Sequence, residues 1–330
     1  MGFGIVGQSF AKLILSRSAD LYSQYGIKPR IVACIVNDGS AVAPAGLDLE
    51  RLLNSKKIKG TVGAYDKGGN FSPLQVIEGV DAEVLLECTP TNLTDGEPGT
   101  SHIITAMRTG KHVISVNKGP LALAFPSLIE LANYNGVMFR FSGTVGGGTP
   151  ILEFAKRCLK GDRITSFRGI LNGTTNYILS KMDDGLTYEN ALRDASKKGY
   201  AEANPSLDVD GFDAAAKLVI MANWVMGMKV TMKDVKRTGI TNVTVGQVKK
   251  AAQSGSAIKL IAACDSKRLD VSPTEVAKTD PICVNGTLNA VTFSSEHSGQ
   301  QTIIGRGAGG METASAILRD LIEIRDTTFA

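Results

Sequence analysis

The sequence predicts an α/β chain, a doubly wound parallel sheet followed by a second, α+β domain. Three observations predict it. Gly2-Phe-Gly4-Ile-Val-Gly7 opens directly into a helical pattern. Short apolar runs then alternate with helical stretches up to Tyr134, the pattern of a parallel sheet covered on both faces. After Pro150 the alternation gives way to longer helices and paired strands. A length of 330 residues exceeds one average domain and suits two.

Taken in order, residues 8–16 read as a helix and 30–36 as a buried strand. Residues 81–88, around Val84-Leu85-Leu86, form a second strand. A helix over 101–109 leads to a strand over 111–116, then a helix over 126–134 and a strand over 137–141. In the second half, 151–159 is helical and 163–171 alternates as a strand. Residues 187–198 make an amphipathic helix. Residues 210–226 make a long helix that is apolar almost all round and therefore buried. Residues 282–293 and 301–305 read as strands of a second sheet, and 311–325 as a closing helix. The domains fall at 1–135, 136–304 and 305–330, the last segment returning to the first domain.

Composition excludes several classes. Lys and Arg total 36 against 32 Asp and Glu, with no basic block of five, so a nucleic-acid partner is not implied. No apolar run reaches the roughly 18 residues of a membrane span, and no signal peptide precedes Gly2. Cys34, Cys88, Cys158, Cys264 and Cys283 are odd in number and never spaced as CxxC, which suits reduced thiols in the cytoplasm. His102, His112 and His297 are equally scattered, so neither a His-based triad nor a zinc site is expected.

The glycine cluster is the dinucleotide fingerprint. Gly2 makes the tight turn, Gly4 admits a pyrophosphate to the backbone, and Gly7 lets helix and strand pack closely. Ile5 and Val6 lie between them. Asn37 and Asp38, at the end of the next strand, stand where an acid meets the adenosine ribose. Asn37-Asp38-Gly39 is also plain turn chemistry. Lys56 and Lys57 can meet a 2′-phosphate or simply face solvent. Thr89 and Pro90 follow one strand end and Lys118 another, where ligands sit in open α/β sheets. In the second half, Asp210, Asp213 and Lys217 are spaced to share one helical face. The i, i+4 pair is an ordinary helix salt bridge, yet the helix is too apolar to be a surface one, so these charges point to a site. Carboxylates of this kind can also hold a hard cation.

Together these motifs resemble the homoserine dehydrogenase family. The stretches that carry the resemblance are 2–7, 88–98, 116–123, 143–150, 169–177 (Gly-Ile-Leu-Asn-Gly-Thr-Thr-Asn-Tyr), 199–217 and 305–316, in family order along the whole chain. The resemblance implies a Rossmann domain, a substrate and dimerisation domain, and a last helix returning to the first. It implies NAD(P)-dependent interconversion of L-homoserine and L-aspartate 4-semialdehyde, on the route to threonine, methionine and isoleucine, by a homodimer. The short form, without a C-terminal regulatory domain, is the one resembled. Lys217 falls on the proton-donor lysine, and Lys118 on the lysine at the cofactor and substrate junction. Glu202, Asp208 and Asp213 fall on the substrate-side carboxylates, with Asn172 and Thr174 in the substrate-binding block. Thr89, Pro90 and Gly307 fall on cofactor contacts. Val145, Gly147 and Thr149, with Gly199 and Glu202 near, fall on a loop that holds a monovalent cation such as sodium. Two departures stand out. Ser142 replaces the carboxylate often found before that loop. Asn37 occupies the ribose-acid position, leaving NAD and NADP both open.

The chemistry of the residues agrees. Aldehyde reduction needs a proton on the developing alkoxide, and with no placed histidine a lysine must give it. Burial near another cation tunes a lysine, so Lys217 and Lys118 are a candidate pair. The carboxylates suit an α-ammonium, and the 143–148 backbone suits the substrate carboxylate. Of the alternatives, a non-catalytic nucleotide sensor of the same fold would be expected to have lost Lys217 or Asp213. An enzyme acting on a sugar or another semialdehyde would not be expected to combine 172–176 with 208–217. Apolar residues 282–284 and 291–293 are expected to leave a sheet face open for dimerisation. In this fold a central strand precedes the fingerprint, so the natural chain is expected to start several residues upstream of Met1.

Overall fold

A computed structural model describes residues 1–37, 39–63, 65 and 72–328. The chain forms two compact units: Met1–Thr144 with the segment from Gly309 onward, and Val145–Ala308. The divisions fall at 144/145 and 308/309, against the sequence reading of 135/136 and 304/305.

In the first unit, α1 (Ile5–Tyr25) precedes β1 (Ala33–Val36) and β2 (Gly39–Val42). Then come α2 (Leu49–Lys59), α3 (Pro73–Gly79), β3 (Val84–Glu87) and α4 (Gly99–Arg108). The unit continues through β4 (His112–Ser115), α5 (Lys118–Tyr134) and β5 (Phe139–Arg140). Strands β3, β4 and β5 form a parallel sheet in that order. The expected 30–36 strand does form, but β1 pairs antiparallel with β2. Between β1 and β3 runs the Met1–Gly2 backbone. Gly2 N donates to Ile35 O at 2.8 Å, Cys88 N to Met1 O at 2.8 Å, and the Met1 amine to Leu86 O at 2.7 Å.

Side chains explain the helix ends. Asp48 accepts from Arg51 N at the start of α2, and Ser72 and Gln75 form a capping box on α3. Helix α5 starts eight residues before the expected 126, because Asn117 caps it through Gly119 N. Pro126 lies inside it, and the kink at Ala124 is the price of a ring that clashes with the preceding turn. The terminal helix Gly310–Thr328 packs on α1, with Ala314, Ile317, Leu318 and Ile324 meeting Phe10, Ile14 and Leu21 in the first unit's core.

The second unit opens with a short helix, α6 (Ile151–Glu153), that widens into a π-turn over Phe154–Cys158. It continues as β6 (Ile164–Ile170), α7 (Gly173–Asp183), α8 (Tyr188–Lys197), α9 (Ser206–Val209) and α10 (Phe212–Met226). It ends with β7 (Lys236–Arg237), α11 (Val245–Gln253), β8 (Ser256–Cys264), β9 (Leu269–Ala277), β10 (Leu288–Ser295) and β11 (Gly299–Arg306). The sheet order is β11-β10-β6-β8-β9-β7, antiparallel except for β7 with β9.

Three expectations are corrected here. The long helix starts at Phe212, so Asp210 ends α9 and does not share a helical face with Asp213 and Lys217. The break is Gly211, at φ 80°, where the left-handed region favours glycine. Residues 282–287 form a turn, and the strand begins at Leu288. The apolar residues thought to leave a face open are covered within the chain. Ile282 packs with Ile170, Ile261 and Ala290, and Phe293 lies against Phe154 and Phe167.

Among the described residues, no helix is long and apolar enough to cross a membrane. Ile317 is fully buried between the terminal helix and its unit. Ile317→Ala should cost about 2–5 kcal/mol and lower the urea midpoint followed by circular dichroism. A midpoint equal to wild type would contradict this packing.

Candidate active site

The second unit assembles its charged cluster around one amide. Asn172 follows β6 and caps α7, its Oδ1 accepting from Thr175 N at 2.8 Å and from the Thr175 hydroxyl at 2.9 Å. Its Nδ2 donates to Asp208 Oδ1 at 2.6 Å and to Asp213 Oδ2 at 2.9 Å. An amide nitrogen has two hydrogens, and both are spent on carboxylates. Asn172 therefore organises the carboxylates, and its donors are taken by protein groups. Burial and the neighbouring Asp213 push the Asp208 carboxyl above the ordinary carboxylate range, against the bond from Asn172.

Asp213 stands in the first turn of α10 and Lys217 one turn later. Their Oδ2 and Nζ are 2.7 Å apart. Lys217 is 7% exposed on a helix buried from Ala214 to Asn223. Its ammonium also donates to Leu171 O at 2.7 Å. Of its three hydrogens, two are thus committed to the protein.

Thr174 stays beside the cluster, where its side chain works with Asn172 to lower the Asp208 carboxyl, while the other expected residues take different places. The Thr174 hydroxyl donates to Tyr200 O at 2.7 Å. Glu202 is exposed on the loop after α8, and no described contact joins it to the cluster. Gly199 lies on the same loop at φ 74°. In the 145–149 loop, Gly146 and Gly147 have positive φ, and Thr149 O already accepts from Ile151 N at 2.8 Å. Gly307 follows β11 and packs against the Asn289 side chain. Sequence reasoning passed over Lys259, a buried lysine on β8. It donates to Asn176 Oδ1 at 3.0 Å, Val284 O at 2.8 Å and Asn285 Oδ1 at 2.9 Å, and so anchors α7 beneath Asn172.

In the first unit the fingerprint residues fit a dinucleotide. At Gly2 (φ 80°) a Cβ would lie 2.6 Å from Cys88 O. At Gly7 it would lie 2.8 Å from Gly2 O. At Gly4, the N-cap of α1, a Cβ would meet nothing within 4 Å, so the helix N-terminus is open to an anion. Ile5 is 78% exposed beside it, and Val6 is half-buried. Asn37 lies in the β1–β2 turn, which makes it the turn residue the sequence also allowed. Asp38 lies outside the described residues.

Thr89 and Pro90 follow β3. Lys118 is the first residue of α5, and its N–H donates to the Thr91 hydroxyl at 3.4 Å. A Cβ at Gly119 would collide with Asn92 O, so glycine is needed there. Two residues the sequence did not flag also sit at this strand edge. Glu87 is fully buried, and His102 Nδ1 lies 2.8 Å from its Oε2. Burial raises the Glu87 carboxyl, but hydrogen bonds from His102 and Thr89 and the nearby N-terminal ammonium outweigh it and hold it below the ordinary range.

A dinucleotide cradle, carried in one chain with a buried lysine–carboxylate cluster, defines a nicotinamide-dependent oxidoreductase. The comparisons name the family. Residues 150–322 match the homoserine dehydrogenase family model, and residues 2–142 match the model of the homoserine dehydrogenase NAD-binding domain. The homoserine dehydrogenase of Methanocaldococcus jannaschii is 44% identical, over 99% of this chain and 98% of that one. An NAD(+)-dependent homoserine dehydrogenase of Pseudomonas canavaninivorans is 39% identical, over 99% and 95%. A solved hyperthermophilic archaeal homoserine dehydrogenase in complex with NADPH superimposes with a TM-score of 0.87 at 27% identity, covering 99% of this chain and 96% of that one. The chain belongs to the homoserine dehydrogenase family, oxidoreductases that act on a CH–OH group.

Asp208 supplies a pH test. Its folded-state pKa lies above the unfolded one. Its contribution to stability is therefore complete below the unfolded-state value and is lost as pH rises through the folded-state value. Asp208→Asn should flatten that loss. Denaturant midpoints measured across the window check this, and an unchanged profile counts against the shift.

Proposed function

We propose that this chain interconverts L-homoserine and L-aspartate 4-semialdehyde with NAD or NADP, a step toward threonine, methionine and isoleucine, with Lys217 as proton donor. The observation that carries the role is the count of hydrogens on Nζ. Asp213 and Leu171 O take two, and the third is directed to the substrate's C4 oxygen. Nicotinamide, when bound, supplies or accepts the hydride.

Residues of the second unit handle the rest of the substrate. Asp208, held by Asn172, offers its remaining oxygen to the α-ammonium, and Glu202 offers a second carboxylate from the 199–205 loop. Asp213 holds the Lys217 ammonium in place while the proton moves to the developing alkoxide. In the opposite direction Lys217, neutral after donation, takes the proton from the C4 hydroxyl. Thr174 steadies the loop at Tyr200 O. In the first unit, Gly4 to Gly7 with the start of α1 would hold the pyrophosphate. Asn37, Thr89, Pro90 and Lys118 would meet the nucleosides.

No step is routed through a cation. The expected loop, Val145, Gly147 and Thr149 with Gly199 and Glu202, offers backbone oxygens and a single exposed carboxylate. Ser142 is committed elsewhere, its hydroxyl donating to Ala316 O at 3.3 Å and its N–H to Asp320 at 3.0 Å. The fit to a cation is therefore partial.

The working form we propose is a cytoplasmic homodimer joined through the second unit. Five free cysteines support the compartment. The edge strand β11, where Ile304 is 48% exposed, supports the interface. Sedimentation of a monomer at micromolar concentration would remove the dimer.

The direct test follows the NAD(P)H absorbance band with homoserine and each cofactor in turn. Lys217→Met should lower kcat by about 10²–10⁴-fold while leaving cofactor affinity near wild type. Near-native turnover in that variant would take Lys217 out of the mechanism. Absence of homoserine-dependent turnover in the wild type would overturn the substrate assignment.

A further inference from the structure

The first unit buries an ionisable pair that the mechanism above does not use. Glu87 is the last residue of β3 and 0% exposed, and His102, on α4, is 4% exposed. A carboxylate carries no proton, so the imidazole Nδ1 supplies the hydrogen of the 2.8 Å contact to Oε2. The other oxygen, Oε1, accepts twice from Thr89: from its N–H at 2.8 Å and from its hydroxyl. The Thr89 hydroxyl accepts in turn from Asn117 Nδ2 at 3.1 Å. The other Asn117 amide hydrogen reaches Pro90 O at 3.3 Å, and Asn117 Oδ1 takes Gly119 N at 3.0 Å. Gly99 leaves room for this amide, since a Cβ there would lie 2.6 Å from Asn117 Nδ2.

The polarity of this chain of bonds is fixed at every link. It starts at a group with a proton to give, and each later group has its donors spent. We propose that the buried His102–Glu87 pair is a positioning device for the cofactor edge, fixing the Thr89 hydroxyl as an acceptor and, through Asn117, the first turn of the helix that carries Lys118. This rests on the reading of Thr89 and Lys118 as cofactor contacts.

A chemical consequence follows for the ligand. The Thr89 N–H and O–H both point at Glu87, so neither can serve a phosphate oxygen. One hydroxyl lone pair goes to Asn117. The remaining one accepts, so the cofactor group that meets Thr89 is a donor: a ribose hydroxyl or the amino group of the nicotinamide carboxamide. Glutamine at position 87 can keep its oxygen on Thr89 and donate its NH₂ to His102 Nδ1, once the imidazole carries its hydrogen on Nε2. Leucine removes both acceptors, so the Thr89 N–H and hydroxyl lose the partner that orients them.

The test measures NADPH and NADH dissociation constants by cofactor fluorescence on the full chain, well below the unfolding midpoint. Glu87→Leu should weaken both cofactors by about tenfold or more, whereas homoserine KM at saturating cofactor should stay within about twofold. His102→Gln, which keeps an N–H donor, should weaken cofactor binding less than His102→Leu. A Glu87→Leu protein that melts earlier but binds cofactor as wild type does would show a purely structural pair and overturn the proposal. Should Glu87→Leu fail to fold, equal affinities in His102→Gln and His102→Leu would overturn it equally well. Binding is read without homoserine, so its outcome stands apart from that of the turnover assay.

Discussion

Two carboxylates side by side in a poorly hydrated place repel each other, and the second unit depends on the group that holds them there. Asn172 gives one hydrogen to Asp208 and one to Asp213 while its oxygen caps α7. A single amide thus closes a helix end and offsets a like-charge contact. Lys217 completes the balance from one turn along α10. With the Asn172 amide hydrogens and two of the three Lys217 hydrogens committed, the positions of the charges are set by covalent geometry and packing, and little rearrangement is left for the moment of reaction. Lys259 does similar work underneath, where a buried ammonium with several oxygen acceptors ties α7 to the turn before β10.

The first unit solves a related problem by another route. Its ligand edge is built from the ends of short parallel strands, where backbone groups run out of ladder partners. Glu87 and Asn117 take up those groups from within, and glycines at 99 and 119 keep the side-chain space free for them. The two units share a habit: a buried polar side chain whose hydrogens are all assigned fixes the position of a neighbour that has one valence to spare.

What was legible in the sequence is what is local. The glycine turn into α1 and the i, i+4 ion pair of Asp213 with Lys217 span only a turn or two, and the structure forms both. Asp210 was misread because a helical period extends smoothly through Gly211, while the left-handed backbone there ends one helix and starts another. The bridge from Asn172 to Asp208 and Asp213 crosses 36 and 41 residues, and no spacing rule connects them. Glu87 and His102 are joined only because α4 lies against β3. Strands β8 and β9 went unread altogether, since Lys259 interrupts one apolar run and Pro273 the other. The apolar stretch at 282–284 looked like strand, yet its role is to cover the sheet beside β10.

The terminal helix gives the fold a timetable. Its residues lie at 310–328, but the core they complete belongs to residues 1–144. On a ribosome adding about 5–20 residues each second, synthesis of the second unit inserts a wait of on the order of ten to thirty seconds. For that interval α1 presents Phe10, Ile14 and Leu21 without the face that will cover them. The unit that begins emerging first is therefore the one finished last, and the second unit can reach its native sheet while the first is still open. A nascent chain of this design is most exposed to misassociation in the interval before residues 310–328 emerge.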